Sequence, residues 1–268
     1  MPSTRILLYS VVGLILLYLM IPVLIIVPMS FSGTRFLTFP PPSFSFRWYE
    51  AYVSSVAWMQ ATKVSLILAF LTAIISTVFG TAAAYALHNA KSPFVRSLQV
   101  VLLLPLVTPI VIIAVGVFFV YMKIGLIATM SGLVLANVML GIPYVITAVL
   151  VGLRKFDPTQ EMVARSLGMN RFRSFFAVTL PQIKPSVISG MLFAFISALD
   201  ETIVALFISG GDNQTLTKRM FTALRDEIDP TIASISSLLT AVSFILVMLI
   251  SLSSREGRTK TGEAPAGH

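Results

Sequence analysis

Several runs of about 20 residues in this chain carry almost no charge, and no other feature limits its fold so strongly. A run of that length is stable as a helix crossing the hydrocarbon core of a bilayer. There, only helices and closed barrels satisfy every backbone polar group. Six such runs stand out, at about Ile6–Met29, Ala61–Leu87, Leu98–Met122, Leu126–Leu153, Ser186–Ser209 and Ile232–Leu252. The chain is 56% hydrophobic and only 11% charged, a balance outside the range of soluble domains. We expect an all-α polytopic membrane protein with six transmembrane helices in one domain, residues 1–253. A polar tail at 254–268 is expected to be disordered. The first run is too long for a signal peptide and no small-residue cleavage site follows it.

The chain has no cysteine, which excludes disulfides, thiol catalysis and cysteine-based metal sites. His88 and His268 are its only histidines, so no metal site is expected. The net charge of +8 reads as membrane topology and not as affinity for nucleic acid. Six spans put both termini on one side. The segments on that side carry Arg5, Lys91, Arg96, Arg154, Lys155, Arg165, Arg171, Arg173, Lys184, Arg255, Arg258 and Lys260. The opposite side carries Arg35, Arg47, Lys63, Lys123, Lys218, Arg219 and Arg225. The richer set is expected in the cytoplasm.

Within the spans, Gly80, Ala82, Ala83, Ala84 and Ala86 allow close helix contact. Pro105 and Pro109 free backbone carbonyls inside the third span, so that span must pack against protein or a wet cavity. The fourth span contains Asn137, Pro143 and Tyr144. Between the first two spans, Phe44-Ser45-Phe46-Arg47-Trp48-Tyr49, with Tyr52 and Trp58, reads as an interfacial anchor.

The longest polar, basic interruption lies between the fourth and fifth spans, at residues 156–185, and it is patterned as helix. Asp157 suits an N-cap, Pro158 the first helical position, and Gln160 a side chain that reaches back to the cap. Glu161 in the first turn complements the helix dipole. Gly168 should stop this helix. A second short helix is expected from Asn170 to about Thr179, ended by Pro181. The charge distribution places this pair in the cytoplasm.

No phosphate-cradling G-x-x-x-x-G-K-[ST] loop is present, nor a G-x-S-x-G or H-E-x-x-H motif. Enzymatic chemistry therefore has no recognisable residues here. Asp200 and Glu201 do stand out, as adjacent acids inside the fifth apolar run. From Ser186, Asp200 lies roughly 20 Å along a helix, beyond the bilayer middle. Two carboxylates at such depth need water or partners. Either one of them lines a translocation pathway for a cation, or they hydrogen-bond to neighbouring elements.

The helix pair resembles the cytoplasmic coupling motif of ABC importer permeases. The resemblance rests on Ala164, Gly168, Leu180 and Pro181 in Glu161-Met-Val-Ala-Arg-Ser-Leu-Gly168 through Leu180-Pro181, at the family's spacing. The family's motif glutamate falls on Met162, and Glu161 lies one position earlier. Phe46-Arg47-Trp48-Tyr49, the stretch Ala198 to Phe207 leading into Gly210-Gly211, and Leu224 to Ile232 are similar to permeases of the spermidine/putrescine type.

The resemblance implies a permease subunit in the bacterial inner membrane, forming half of a pathway for a small cationic solute such as a polyamine. A second homologous permease, two cytoplasmic ATPase subunits and a periplasmic binding protein would be its partners. ATP and magnesium would be used by the ATPase, with no cofactor on this chain. Asp157, Glu161, Met162, Ala164, Leu167, Gly168, Phe172, Leu180 and Pro181 would form the ATPase-coupling element, and Asp200 and Glu201 the substrate pathway. Phe175 and Phe176 would pack in the ATPase cleft or against the permease's own helix ends. Related permeases carry opines, amino-acid derivatives, phosphonates or iron complexes. A self-contained secondary transporter is the contrasting reading, and it predicts an internal repeat that is not found.

Overall fold

The computed structural model of the chain describes residues 2–36, 38–90, 92–226 and 229–259. Twelve α-helices occur among them, in the order α1 (Pro2–Ser30), α2 (Arg47–Ser54), α3 (Val56–Asn89), α4 (Pro93–Leu103), α5 (Ile110–Ile124), α6 (Met130–Lys155), α7 (Pro158–Ser166), α8 (Arg171–Ser174), α9 (Leu180–Asp200), α10 (Ile203–Ile208), α11 (Leu216–Asp226) and α12 (Thr231–Thr259). Five helical runs are long and apolar enough to cross a membrane, or up to six if one sharply bent pair acts as a single span. The all-helical membrane architecture expected from the apolar runs is therefore present. Lys91, Glu227, Ile228 and residues 260–268 lie outside the described residues. The last helix runs to Thr259, six residues into the segment read as tail.

The bent pair corrects the third span. In place of one helix over 98–122, α4 continues as a 3-10 turn over Leu104–Leu106 and then meets α5 at 99°. The prolines are the cause. Pro109 has no N–H and biases Thr108 away from helical backbone, so the helix cannot pass through. Helical bonding persists up to the break, where the Leu104 carbonyl accepts from the Thr108 N–H at 3.0 Å and from Thr108 Oγ1 at 2.9 Å.

The chain divides into two compact units. One comprises residues 1–59 and 220–245. In it, Ser30 is fully buried, its hydroxyl shares a hydrogen bond with Tyr49 Oη at 2.7 Å, and its carbonyl accepts from Ser234 Oγ at 3.2 Å. Phe31, Phe46 and Tyr49 form a cluster of rings 5.2–6.0 Å apart. Arg47 bonds the Gly33 carbonyl at 2.9 Å and lies over the Trp48 ring. Tyr52 and Trp58, read as interfacial anchors, are instead buried.

The other unit comprises residues 60–219 and 246–268. Its centre is α6, the most buried of the apolar helices, with 61% of its apolar window enclosed. Val145, Ile146 and Val149 of α6 have no exposed surface. Lipid tails are as apolar as these side chains, so the gain here is close packing and not removal from water. Small residues permit it. A Cβ on Gly80 of α3 would stand 2.7 Å from Val145 Cβ, and one on Gly141 would stand 2.6 Å from Ser76 Oγ. On the opposite side, Gly152 faces Ser186 and Gly190 faces Val145 in the same way. Gly80 and Ala84 thus make the close contacts expected of them, whereas Ala82 and Ala86 are exposed.

The fifth span is also redrawn. It starts earlier than Ser186 and has no boundary at Pro181, because α8, a π-turn over Phe175–Thr179 and α9 form one run, Arg171–Asp200. Pro185 therefore lies inside α9, and Ser189 Oγ donates to the Pro185 carbonyl at 2.9 Å. At the other end, α9 stops at Asp200 and α10 begins at Ile203. Asp200 and Glu201 accordingly sit at a helix break and not within a continuous helix.

Candidate transport and coupling sites

The capping pattern read at residues 156–168 is realised in α7. Asp157 accepts from the Thr159 N–H at 2.9 Å, and these contacts hold its carboxyl below the usual carboxylate range. At the far end, the Gly168 N–H bonds the Arg165 carbonyl at 3.0 Å and the Met169 N–H bonds the Ala164 carbonyl at 3.2 Å. This paired closure requires left-handed backbone after the cap, and Gly168 supplies it with φ +95°. Asn170 then caps α8 by accepting from the Arg173 N–H at 2.8 Å. Gln160 does not reach back to the cap. Its side-chain oxygen accepts from Gln182 instead.

Helix α7 has two faces. Glu161 and Ala164 are buried, at 9% and 6% exposure. Met162, Val163 and Leu167 point outward, and Leu167 is 80% exposed. Phe172 is exposed as well and stacks on Phe176 at 4.8 Å. Phe175 turns inward, its ring 4.7 Å from that of Tyr85. Leu180 is half-buried and Pro181 exposed. A set of large apolar side chains thus stands uncovered on an otherwise polar helix pair.

Glu161 is not the exposed, dipole-complementing acid that its first-turn position suggests. Its Oε1 accepts from Tyr85 Oη at 2.5 Å and its Oε2 from Thr179 Oγ1 at 2.6 Å. Neither partner is signalled near Glu161 in sequence.

The second site surrounds the break after α9. A cavity of about 650 Å³ is lined by residues of the bent pair, α6, α9 and α10, including Thr108, Tyr144, Phe193, Ser197, Asp200 and Glu201. The proline break between α4 and α5 places Pro105, Leu106, Thr108 and Ile110 along its wall. Among the described residues, Asp200 and Glu201 are the ionisable acids of its lining, and no basic residue lines it.

The acids differ in their surroundings. Glu201 is 9% exposed, and both of its carboxylate oxygens accept from the Val204 N–H, at 3.0 and 3.1 Å. It satisfies a donor in the first turn of α10. Its carbonyl accepts from Thr217 Oγ1 at 3.0 Å. The Asp200 side chain is exposed, and among the described residues no hydrogen bond to its carboxylate is made. Thr108 and Ser197 were not singled out from the sequence, and Tyr144 was noted only as a polar residue of the fourth span. Each is an isolated polar group in an apolar run, and only the fold brings them to one cavity.

The loop after α10 is held firmly. Lys218 donates to the Leu206 carbonyl at 3.2 Å and also to that of Ser209. The Leu216 N–H bonds Ser65 Oγ at 2.8 Å, and Asn213 Nδ2 bonds the Ala128 carbonyl at 2.9 Å. These contacts brace α10 and the loop that follows it.

Known transport proteins resemble this chain in sequence and in fold. The family model described as the inner membrane component of binding-protein-dependent transport systems matches residues 76–256. The spermidine/putrescine transport system permease protein PotC of Haemophilus influenzae is 29% identical over 240 residues, covering 89% of this chain and 93% of that protein. The putrescine transport system permease protein PotI of Escherichia coli is 31% identical over 229 residues, covering 83% of this chain and 81% of that protein. In fold, the chain resembles one in the crystal structure of a bacterial alginate ABC transporter in complex with alginate pentasaccharide-bound periplasmic protein. The TM-score is 0.70 at 14% identity, over 97% of this chain and 96% of that one. The matched family covers the central helix α6, the polar helix pair and the acid-lined cavity, and this chain belongs to it as a membrane-embedded transport subunit, the inner-membrane component of a binding-protein-dependent ABC importer.

Proposed function

We propose that the chain forms half of the pathway for a small cationic solute, of which a polyamine is the best match. The observation that carries this reading is Asp200. Its carboxylate lines a cavity of about 650 Å³ with no described hydrogen-bond donor to neutralise it. A carboxylate at a helix break among apolar walls attracts and partly desolvates a cation, and a linear amine fits a lining that alternates apolar side chains with Thr108, Tyr144 and Ser197. The names of the polyamine permeases to which the chain is similar point the same way.

In this reading α7 and α8 face the cytoplasm with both termini, and the uncovered Met162, Leu167 and Phe172 enter a cleft on one of two ATPase subunits. ATP and magnesium are used by those subunits. A second, homologous permease supplies the other half of the pathway, and a periplasmic binding protein delivers the solute. Closure of the ATPase pair then moves α7 as a rigid body and switches the transmembrane helices between inward-open and outward-open states.

The test is uptake of labelled putrescine and spermidine by the complete transporter in proteoliposomes. ATP-dependent accumulation that falls when Asp200 becomes Asn is expected. Accumulation of an anionic or neutral solute, with no polyamine taken up, would overturn the substrate assignment.

A further inference from the structure

Three elements converge on one buried carboxylate. Tyr85 lies near the end of α3, Glu161 in the first turn of α7, and Thr179 at the end of the π-turn that continues into α9. Glu161 accepts one hydrogen bond from each of the other two hydroxyls, at 2.5 and 2.6 Å. Glu161 is 9% exposed and Thr179 is fully enclosed.

An apolar side chain would fill this place without the desolvation cost of a carboxylate. What the carboxylate adds is direction. Its two oxygens are held by donors on two different helices, and short charge-assisted bonds resist both sliding and separation. The Thr179 end grips the π-turn, an irregularity of the kind that recurs at functional sites. From there α9 runs unbroken for 21 residues, roughly 30 Å, to Asp200 at the cavity. The Tyr85 ring is held independently, by Phe175 at 4.7 Å and by the Arg171 guanidinium at 5.4 Å. Its hydroxyl is thus presented to Glu161 at a fixed point.

We propose that the Tyr85–Glu161–Thr179 tie is the connector that carries displacement of α7 into α3 and α9, with Tyr85 as a positioning residue for coupling. This rests on the reading of α7 as the ATPase-docking helix. A displacement of α7 pulls on the base of α9 through Thr179 and on α3 through Tyr85. Without the tie, α7 is joined to its neighbours by the short turns at 156–157 and 167–170, by the exposed Gln160–Gln182 hydrogen bond and by side-chain packing.

The experiment uses the complete transporter, with its ATPase and binding protein, in proteoliposomes, and reads the ratio of solute accumulated to ATP hydrolysed. Tyr85→Phe keeps the ring contacts and removes only the hydroxyl. Thr179→Val keeps the volume and removes the other donor. Each should lower the ratio several-fold while complex assembly and ATP hydrolysis persist, and Thr179→Ser should restore it. A wild-type ratio in both Tyr85→Phe and Thr179→Val overturns the connector. So does a parallel loss of uptake, hydrolysis and assembled complex at constant ratio, because that marks a structural brace alone. The docking reading is checked separately, by crosslinking a Leu167→Cys variant to the ATPase. Absence of that crosslink in an actively transporting complex overturns the docking reading and the connector with it.

Discussion

Asp200 and Glu201 are consecutive residues with opposite environments: Glu201 is enclosed and spends both carboxylate oxygens on the Val204 N–H, whereas the Asp200 side chain is open to the cavity. The helix break between α9 and α10 separates them. Had the helix continued, both would have stood on its surface about 100° apart.

Substitution should therefore affect the two acids differently. Asp200→Asn is expected to raise the solute concentration for half-maximal uptake by about tenfold, equivalent to ~1.4 kcal/mol of lost attraction, with thermal stability unchanged. Glu201→Gln retains an acceptor for the Val204 N–H and should transport nearly as well as wild type. Glu201→Ala removes the cap and should destabilise the detergent-solubilised protein by about 1 kcal/mol. Uptake and melting measurements on the three variants decide the matter. Equal transport defects in Asp200→Asn and Glu201→Gln would contradict the division of roles.

The close crossing of α3 and α6 gives a second prediction. Gly80→Ala places a methyl 2.7 Å from Val145 Cβ, and Gly141→Ala places one 2.6 Å from Ser76 Oγ. Gly80→Ala should cost roughly 1–3 kcal/mol, because Val145 Cβ cannot turn away and the packed helices must move apart, and Gly141→Ala should cost less, because the Ser76 hydroxyl can rotate. Gly116→Ala is the control, since nothing lies within 4 Å of its new methyl. Thermal unfolding should rank Gly116→Ala at or above wild type and the other two below it.

Leu167 is 80% exposed, so Leu167→Ser should leave the melting temperature of the isolated permease unchanged, whereas Phe172→Ser, at 73% exposure, also loses the Phe176 ring contact and should lower it slightly. Co-purification of the ATPase should be lost or sharply reduced. The chain has no cysteine, so a single Leu167→Cys also reports topology. A membrane-impermeant maleimide should label it only after the cells are opened. Labelling of intact cells would place α7 on the outside and remove the docking role.

Gly168→Trp tests the turn itself. No atom lies within 4 Å of an added Cβ, so the cost comes from the left-handed backbone at φ +95° and not from a clash. The protein should insert and fold, because the strain falls on an external turn. ATP hydrolysis should then proceed with uptake reduced several-fold. Normal coupled uptake in this variant would mean that the α7–α8 turn has no part in coupling.

Local features were legible from the residues. Apolar run length marked the spans, because the bilayer requires long helices whatever their neighbours. Asp157, Gly168 and Asn170 announced the ends of α7 and the start of α8, because a cap is satisfied by atoms two to five residues away. Even the bend between α4 and α5 has its cause in Pro105 and Pro109, although the sequence did not say whether those prolines would kink the span or break it. Tertiary structure alone decided the partners of the acids. Glu161 is tied to Tyr85, 76 residues earlier, and to Thr179, 18 later. The split between Asp200 and Glu201 likewise depends on where α9 stops against the elements around it. Hydrophobic length and capping are properties of neighbours along the chain. The burial of a carboxylate, and the donors that make it tolerable, are set by which helices pack together.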